Sequence, residues 1–287
     1  MPYNETTQSF SEEELKGLPG MKILLMGDSG TGKTHSIRTL VDAGLEVFCI
    51  FTEPGMDILA EVPVEKLHWN YTSPSSVSWA EMQESSRKLN TMAFKALTEL
   101  PHINRGSHAE YMTVQGVCDN YVDQRTGIEY GSIDKFGTDR VVVLDSFSGL
   151  SYMALNLITG SKPVKHVGEY GCAMDNLERF TIKLTQDIRC HAVIIGHKAK
   201  EKDDSTGGLS SMIDTIGAKL APKLPKLFTD IIDTQRIGDR FSWSTTTPNT
   251  ILKARNLPWA NEIPPTFVPM LAKWRDRDRM ARGGEKT

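Results

Sequence analysis

"MKILLMGDSGTGKTHSIRTL", residues 21–40, decides the fold. Met21 to Met26, apolar except for Lys22, is a run of strand length. A glycine-studded loop follows, and then a helical pattern over 33–43 that Gly44 can end. The loop itself, "GDSGTGKT", satisfies G-x-x-x-x-G-K-[ST] with Gly27, Asp28, Ser29, Gly30, Thr31, Gly32, Lys33 and Thr34. Its glycines permit positive φ and let main-chain N–H groups close around an anionic phosphate. The following helix points its positive end at the same phosphates. Lys33 can reach the β and γ oxygens, and the Thr34 hydroxyl can ligate Mg²⁺. An ordinary glycine-rich turn needs neither the preceding strand nor the lysine, so the stretch reads as a nucleoside triphosphate site for ATP and Mg²⁺.

Working outward, strand and helix signals alternate. "LEVFCIF" (45–51), "KLHWNY" (66–71), "RVVVLDS" (140–146) and "CHAVIIGH" (190–197) read as strands, the last two as buried ones. Alternation of this kind predicts an α/β fold with a mostly parallel sheet covered by helices on both faces. Residues 76–99 read as a long surface helix, and 101–139 as a polar insertion or small hairpin region. "KAKEKDDSTGGLSSMI" (198–213) reads as a mobile loop. Residues 228–256 read as antiparallel strands turning at Gly238-Asp239, and a charged helix and tail follow from Phe267. The predicted organisation is a leader over 1–19, a core over 20–260 and a C-terminal helix and tail over 261–287. Within the leader, Ser11 and Glu14 stand at capping-box spacing for a short helix.

Composition narrows the classes. With 287 residues, 39% of them hydrophobic, one sizeable α/β core is available. A net charge of −3 makes no global case for nucleic-acid or membrane binding, so any such surface is local. Cys49, Cys118, Cys172 and Cys190 are scattered, which argues against a disulfide framework or zinc knuckle and for a reduced, cytosolic protein. No apolar run approaches the ~20 residues that span a bilayer, and the N-terminus lacks an export pattern.

A phosphate loop needs a carboxylate at the end of a second buried strand to hold the metal shell. Asp145 supplies it, with a turn or helix-cap role as the plainer alternative. Hydrolysis also needs a group to orient or deprotonate water. Many ATPases of the AAA type place a Glu directly after the metal-shell Asp, but here Ser146 follows. The best remaining Glu is Glu53, at the carboxyl end of the second strand, where ligand-facing residues of parallel sheets sit. Its rival role is local, since "EPGM" has Pro and Gly at the central positions of a type II turn.

The layout resembles the RecA-like ATPases, with a Glu after strand two and an Asp-Ser after a Val-rich strand. It is most similar to the short, phage-encoded RecA-like proteins, some of them single-strand-annealing recombinases. The resemblance rests on "GDSGTGKT", "IFTEPG", "VVVLDSFSGL", "EYGCAMDNLERFTIKL", "HAVIIGHK" and "KLAPKLPKLFTDII", spanning roughly residues 20–260. It implies a RecA-like core, an ATPase working in DNA recombination or annealing, assembly into a ring or filament, and single-stranded DNA and a single-strand-binding protein as partners. It also implies that His197 senses hydrolysis, against the plainer role of a strand-end histidine. By the same resemblance, segments 158–171 and 198–213 become DNA-coupling loops carrying Lys162, Lys165, Lys198, Lys200 and Lys202. Glu201, Asp203 and Asp204 among them fit a solvated loop equally well. Lys253 and Arg255 resemble the basic pair that reaches a neighbour's γ-phosphate in hexameric motors, or are two exposed cations on an edge strand. Two other functions compete: an ATP-dependent switch or loader acting on a protein partner, and a small-molecule kinase. The kinase is disfavoured because the cysteines cannot form a zinc lasso and no arginine-rich lid is visible in 101–139.

Overall fold

The structure, a computed structural model, describes residues 10–11, 16–74, 77–100, 108–202, 208–217 and 219–284, without the side chains of 201 and 202. The elements run β1 (Lys22–Gly27), α1 (Lys33–Ser36), α2 (Arg38–Asp42), β2 (Glu46–Phe51), β3 (Leu67–Tyr71), α3 (Trp79–Thr91), α4 (Phe94–Thr98) and α5 (Glu110–Asp119). Then come β4 (Tyr121–Val122), β5 (Glu129–Gly131), β6 (Arg140–Asp145), α6 (Phe147–Thr159), α7 (Val167–Ile182) and β7 (His191–Gly196). The chain closes with β8 (Lys198–Lys202), β9 (Leu209–Ile213), β10 (Asp230–Ile237), β11 (Arg240–Ser244) and α8 (Val268–Ala281).

Seven strands form the central sheet in the order β11-β10-β1-β7-β6-β2-β3. All neighbours are parallel except the edge pair β10–β11. The expected α/β fold, mostly parallel with antiparallel strands near the C-terminus, is the observed one. Each central strand is apolar on both faces because helices cover both. Alternate residues separate cleanly. Leu24, Met26, Phe48, Ile50, Val142, Leu144 and Ile194 pack with Tyr111 of α5, Leu150 and Met153 of α6, and Leu177 of α7. Ile23, Leu25, Val47, Phe51, Val143 and Ile195 pack with Leu40 of α2 and Met270, Leu271 and Trp274 of α8. The ladder registers Met26 with Gly196, Asp145 with Ile195, and Phe51 with Asp145. The carboxyl ends of β1, β7, β6 and β2 therefore open onto one edge of the molecule, where the site lies.

Several expected elements differ in detail. The first helix is two segments divided at Ile37. The surface helix breaks at Met92–Ala93, both extended, into α3 and α4. A Ser78–Glu81 capping box starts α3, which has no buried residue. Residues 108–139 hold a helix, α5, and the β4–β5 ribbon, and they supply Tyr111, Val114, Tyr121 and Phe136 to the core. The segment read as a loop over 198–213 forms the antiparallel pair β8–β9, whose tip at 203–207 lies outside the described residues. Of the expected loop 158–171, only 160–166 lies between helices. The turn Gly238-Asp239 joins β10 to β11 as expected, with Gly238 at φ 62°. Gly55 has φ 160°, away from the ~+80° of a type II turn, so "EPGM" is not that turn. The Ser11–Glu14 helix falls outside the described residues. Among the described residues no helix is long and apolar enough to cross a membrane.

Candidate nucleotide site

The loop after β1 has the backbone its sequence requires. Gly30 and Gly32 stand at φ 75° and 81°, a region costly for a residue with a Cβ. Gly27 meets a different demand: a Cβ there would collide with the Thr234 hydroxyl and lie 2.7 Å from the Thr234 carbonyl oxygen. Thr234 belongs to β10, whose parallel pairing brings it level with Gly27. Its hydroxyl shares a 2.6 Å hydrogen bond with Thr31 Oγ1, tying the loop to the neighbouring strand.

Lys33 is buried and donates from Nζ to the carbonyl oxygens of Gly27 (2.9 Å) and Asp28 (2.7 Å). Burial pushes its ammonium down from the usual lysine range, while the carboxylates of Asp145, Asp28 and Glu53 pull it back up. Thr34 Oγ1 donates to Asp145 Oδ2 at 2.6 Å. Burial raises the Asp145 carboxyl above the usual range, against the lowering effect of that hydrogen bond. The two residues expected around a metal ion thus touch each other across 111 positions of sequence. The Asp145–Ser146 peptide is cis.

Glu53 follows β2 and lies at the same edge. Ser146 Oγ donates to its Oε1 at 2.6 Å, and His197 Nε2 donates to its Oε2 at 3.3 Å. Ser146 also caps α6 by accepting from Gly149 N–H. One residue back, Thr52 fixes the root: its hydroxyl donates to Ser146 O (2.7 Å) and accepts from Ser146 N–H (3.0 Å). Glu53, Asp145, Ser146 and His197 therefore form one connected group beside Lys33 and Thr34. The carboxylate–serine–histidine set can orient a water, and the loop and Thr34–Asp145 pair can hold a triphosphate and a hard cation.

The other expected residues fall elsewhere. Lys162 is not on a DNA-facing surface: it is buried, in a 2.8 Å ion pair with Glu169. Lys165 stands 5.8 Å from the Tyr152 ring centre, and Lys200 is exposed on β8. The Lys202 side chain lies outside the described residues. Lys198 is paired at 2.9 Å with Asp233 of β10, which is fully buried. It is close enough to Lys33 to depress that ammonium further. Lys253 bridges to Ile231 near the start of β10, at the far end of the sheet from this chain's own phosphate loop, and Arg255 follows it. Lys253 Nζ donates to Pro225 O and Phe228 O.

Sequence reading missed four contributors: Ser146, Thr52, Thr234 and Phe241. Ser146 was visible as the residue after Asp145 that is not Glu and as part of the Asp-Ser resemblance, but not as a partner of Glu53. Phe241 projects from β11 so that its ring lies 3.0 Å from where a Gly32 Cβ would stand. Only the sheet order brings it there.

A mostly parallel sheet with a G-x-x-x-x-G-K-[ST] loop at the carboxyl end of a central strand, and a strand-end aspartate hydrogen-bonded to the loop threonine, defines a P-loop NTPase. A family model described as "AAA domain" matches residues 19–256, and the chain belongs to that family of P-loop ATPases. No curated protein matches the sequence. Among solved structures, a prototypical ATPase from the type III secretion system of pathogenic bacteria is similar at 12% identity and a TM-score of 0.42. The match covers 78% of this chain and 56% of that one, so the chain spans little more than half that protein's length. The RadB recombinase is similar at 12% identity and a TM-score of 0.35, over 81% of this chain and 90% of that one.

Proposed function

We propose that the protein is a Mg²⁺-dependent ATPase with a RecA-like core, phage-encoded, that works in DNA recombination or single-strand annealing and assembles into a ring or filament. The observation that carries the ATPase reading is the Thr34–Asp145 hydrogen bond beside a Glu53 held by Ser146 and His197. A hydroxyl and a carboxylate are the oxygen donors a hard cation takes, and most of its remaining coordination comes from phosphate oxygens and water. Thr34 and Asp145 would hold Mg²⁺, which screens phosphate charge when bound. Lys33, already inside the loop, supplies the fixed cation for the β and γ oxygens. Glu53 accepts a proton from, or orients, the attacking water. His197 links the carboxylate to the end of β7, where it can register phosphate loss. Phe241 offers an apolar face beside the loop for the nucleoside.

The DNA part rests on the resemblance of the motifs, with single-stranded DNA and a single-strand-binding protein as partners. A second reading, an ATP-dependent switch or loader for a protein partner, is favoured by the ion pairs that occupy Lys162 and Lys198. One experiment separates them: ATP turnover with and without single-stranded oligonucleotide at low salt. The first reading expects turnover to rise with DNA and to disappear in Lys33→Ala. Turnover indifferent to DNA overturns it in favour of the switch, and no turnover in the wild type overturns both.

A further inference from the structure

At the far end of the sheet, where β1 and β10 begin, lies a cavity of about 420 Å³. β1 is six residues long, so this cavity is roughly 16 Å from the phosphate loop, at ~3.3 Å per strand residue. Among the described residues its walls hold Lys22, Lys226, Lys253, Arg255 and Arg277 beside Trp274, and no Asp or Glu. Among the described residues none of these five cations has an ion pair with a carboxylate. Lys22 Nζ donates to Ile188 O (2.9 Å) and Cys190 O (2.5 Å). Lys253 Nζ donates to Pro225 O (3.0 Å) and Phe228 O (2.6 Å). Arg277 donates to Asn256 Oδ1 and Arg255 O, both at 2.9 Å. Carbonyl oxygens satisfy these donors without cancelling their charge. Two carboxylates bond to lining residues and are already engaged: Asp230, fully buried, accepts from Arg255 N, Asn256 N and Asn256 Nδ2, and Asp278 accepts from Leu18 N–H and pairs with Arg282. Lys226 and Arg255 are exposed, and among the described residues neither side chain makes a hydrogen bond within the fold.

Five like charges around one cavity repel each other, and buried ones also lose hydration. Burial depresses Lys22 to about 8, and burial with neighbouring Arg255 lowers Lys253. An arrangement of this kind is relieved by an anion, and arginine forks with lysine ammoniums suit phosphate oxygens best. We propose that the cavity lined by Lys22, Lys226, Lys253, Arg255 and Arg277 is a second phosphate site, which takes a phosphate group from a small phosphoanion or from a nucleic-acid backbone.

The test is titration calorimetry with two probes, inorganic pyrophosphate and a twenty-nucleotide oligothymidylate, with and without saturating Mg-ADP to occupy the phosphate loop. The proposal expects at least one probe to bind in the presence of Mg-ADP. Its affinity falls steeply with salt, and in Lys226→Glu/Arg255→Glu it drops at least tenfold at an unchanged melting temperature. Lys226→Arg should bind as the wild type does. Pyrophosphate alone identifies a small phosphoanion. For an oligonucleotide, the slope of log K against log salt shrinks by about 1.4 when two contacts are removed. Binding of neither probe, or binding that the charge reversal leaves intact, overturns the proposal. Failure of Mg-ADP itself to bind is a separate result and counts against the nucleotide site instead.

Discussion

Glu53 has both carboxylate oxygens hydrogen-bonded, one to Ser146 and one to His197. That geometry sets the direction in which a water is met, and it separates two kinds of substitution. Glu53→Gln keeps the shape and removes the base, so turnover should fall by about 10²–10⁴-fold with ATP affinity little changed. Ser146→Ala leaves the base but frees one oxygen. The expected loss is smaller, roughly tenfold in kcat, with KM near wild type. Single-turnover hydrolysis together with equilibrium ATP binding distinguishes them, and an equal loss in both variants would contradict the positioning role of Ser146. At this scale the sequence was legible where one motif holds the residues together: Gly27 to Thr34 had a fixed spacing, and Asp145 and Glu53 ended strongly patterned strands. Ser146, Thr52 and Phe241 carry no spacing signal. Their roles come from contacts across 94 positions for Ser146 with Thr52 and from the packing of β11 over the loop.

Strands buried on both faces announce themselves, and β6 and β7 were legible from unbroken runs of Val, Leu and Ile. The β8–β9 pair was not, because its first strand, Lys198–Lys202, is a lysine-rich stretch without an apolar alternation to mark it. Likewise α5 hides Tyr111, Val114 and Val117 among polar residues and a glycine. One consequence at element scale concerns the first residue of β7. His191 is buried, accepts at Nδ1 from Met21 N–H (2.9 Å) and donates from Nε2 to Thr138 O (3.1 Å). The bond from Met21 requires the neutral ring, and burial pushes its pKa down to about 3 against the opposing pull of the Thr138 carbonyl. Between pH 3 and the ordinary value of 6.5 the unfolded chain therefore holds more protons than the folded one. The stabilisation is complete above 6.5 and is lost as pH falls toward 3, amounting to a few kcal/mol. Urea midpoints at neutral and acid pH should diverge less in His191→Gln than in the wild type. Parallel pH slopes would show that other groups dominate the acid loss.

For the whole molecule, the sheet separates two charged ends: the phosphate loop at the carboxyl end of β1 and the cationic cavity at its start. Within one chain these ends cannot meet, so Arg255 can act on a triphosphate only across an interface between copies. Lys253 is committed to two carbonyl oxygens, which leaves Arg255, exposed and without a side-chain hydrogen bond among the described residues, as the available member of the pair. If neighbours in a ring or filament stack end to end, a copy lacking Lys33 can still lend Arg255 to the copy beside it. Lys33→Ala and Arg255→Ala should then each be inactive alone, while a mixture regains turnover. At equal amounts and random order, about a quarter of head-to-tail interfaces pair an intact loop with an intact arginine. ATP hydrolysis measured across mixing ratios should therefore peak near equal proportions. Turnover that stays at baseline at every ratio would remove Arg255 from the neighbour's active site and leave it to the cavity it lines.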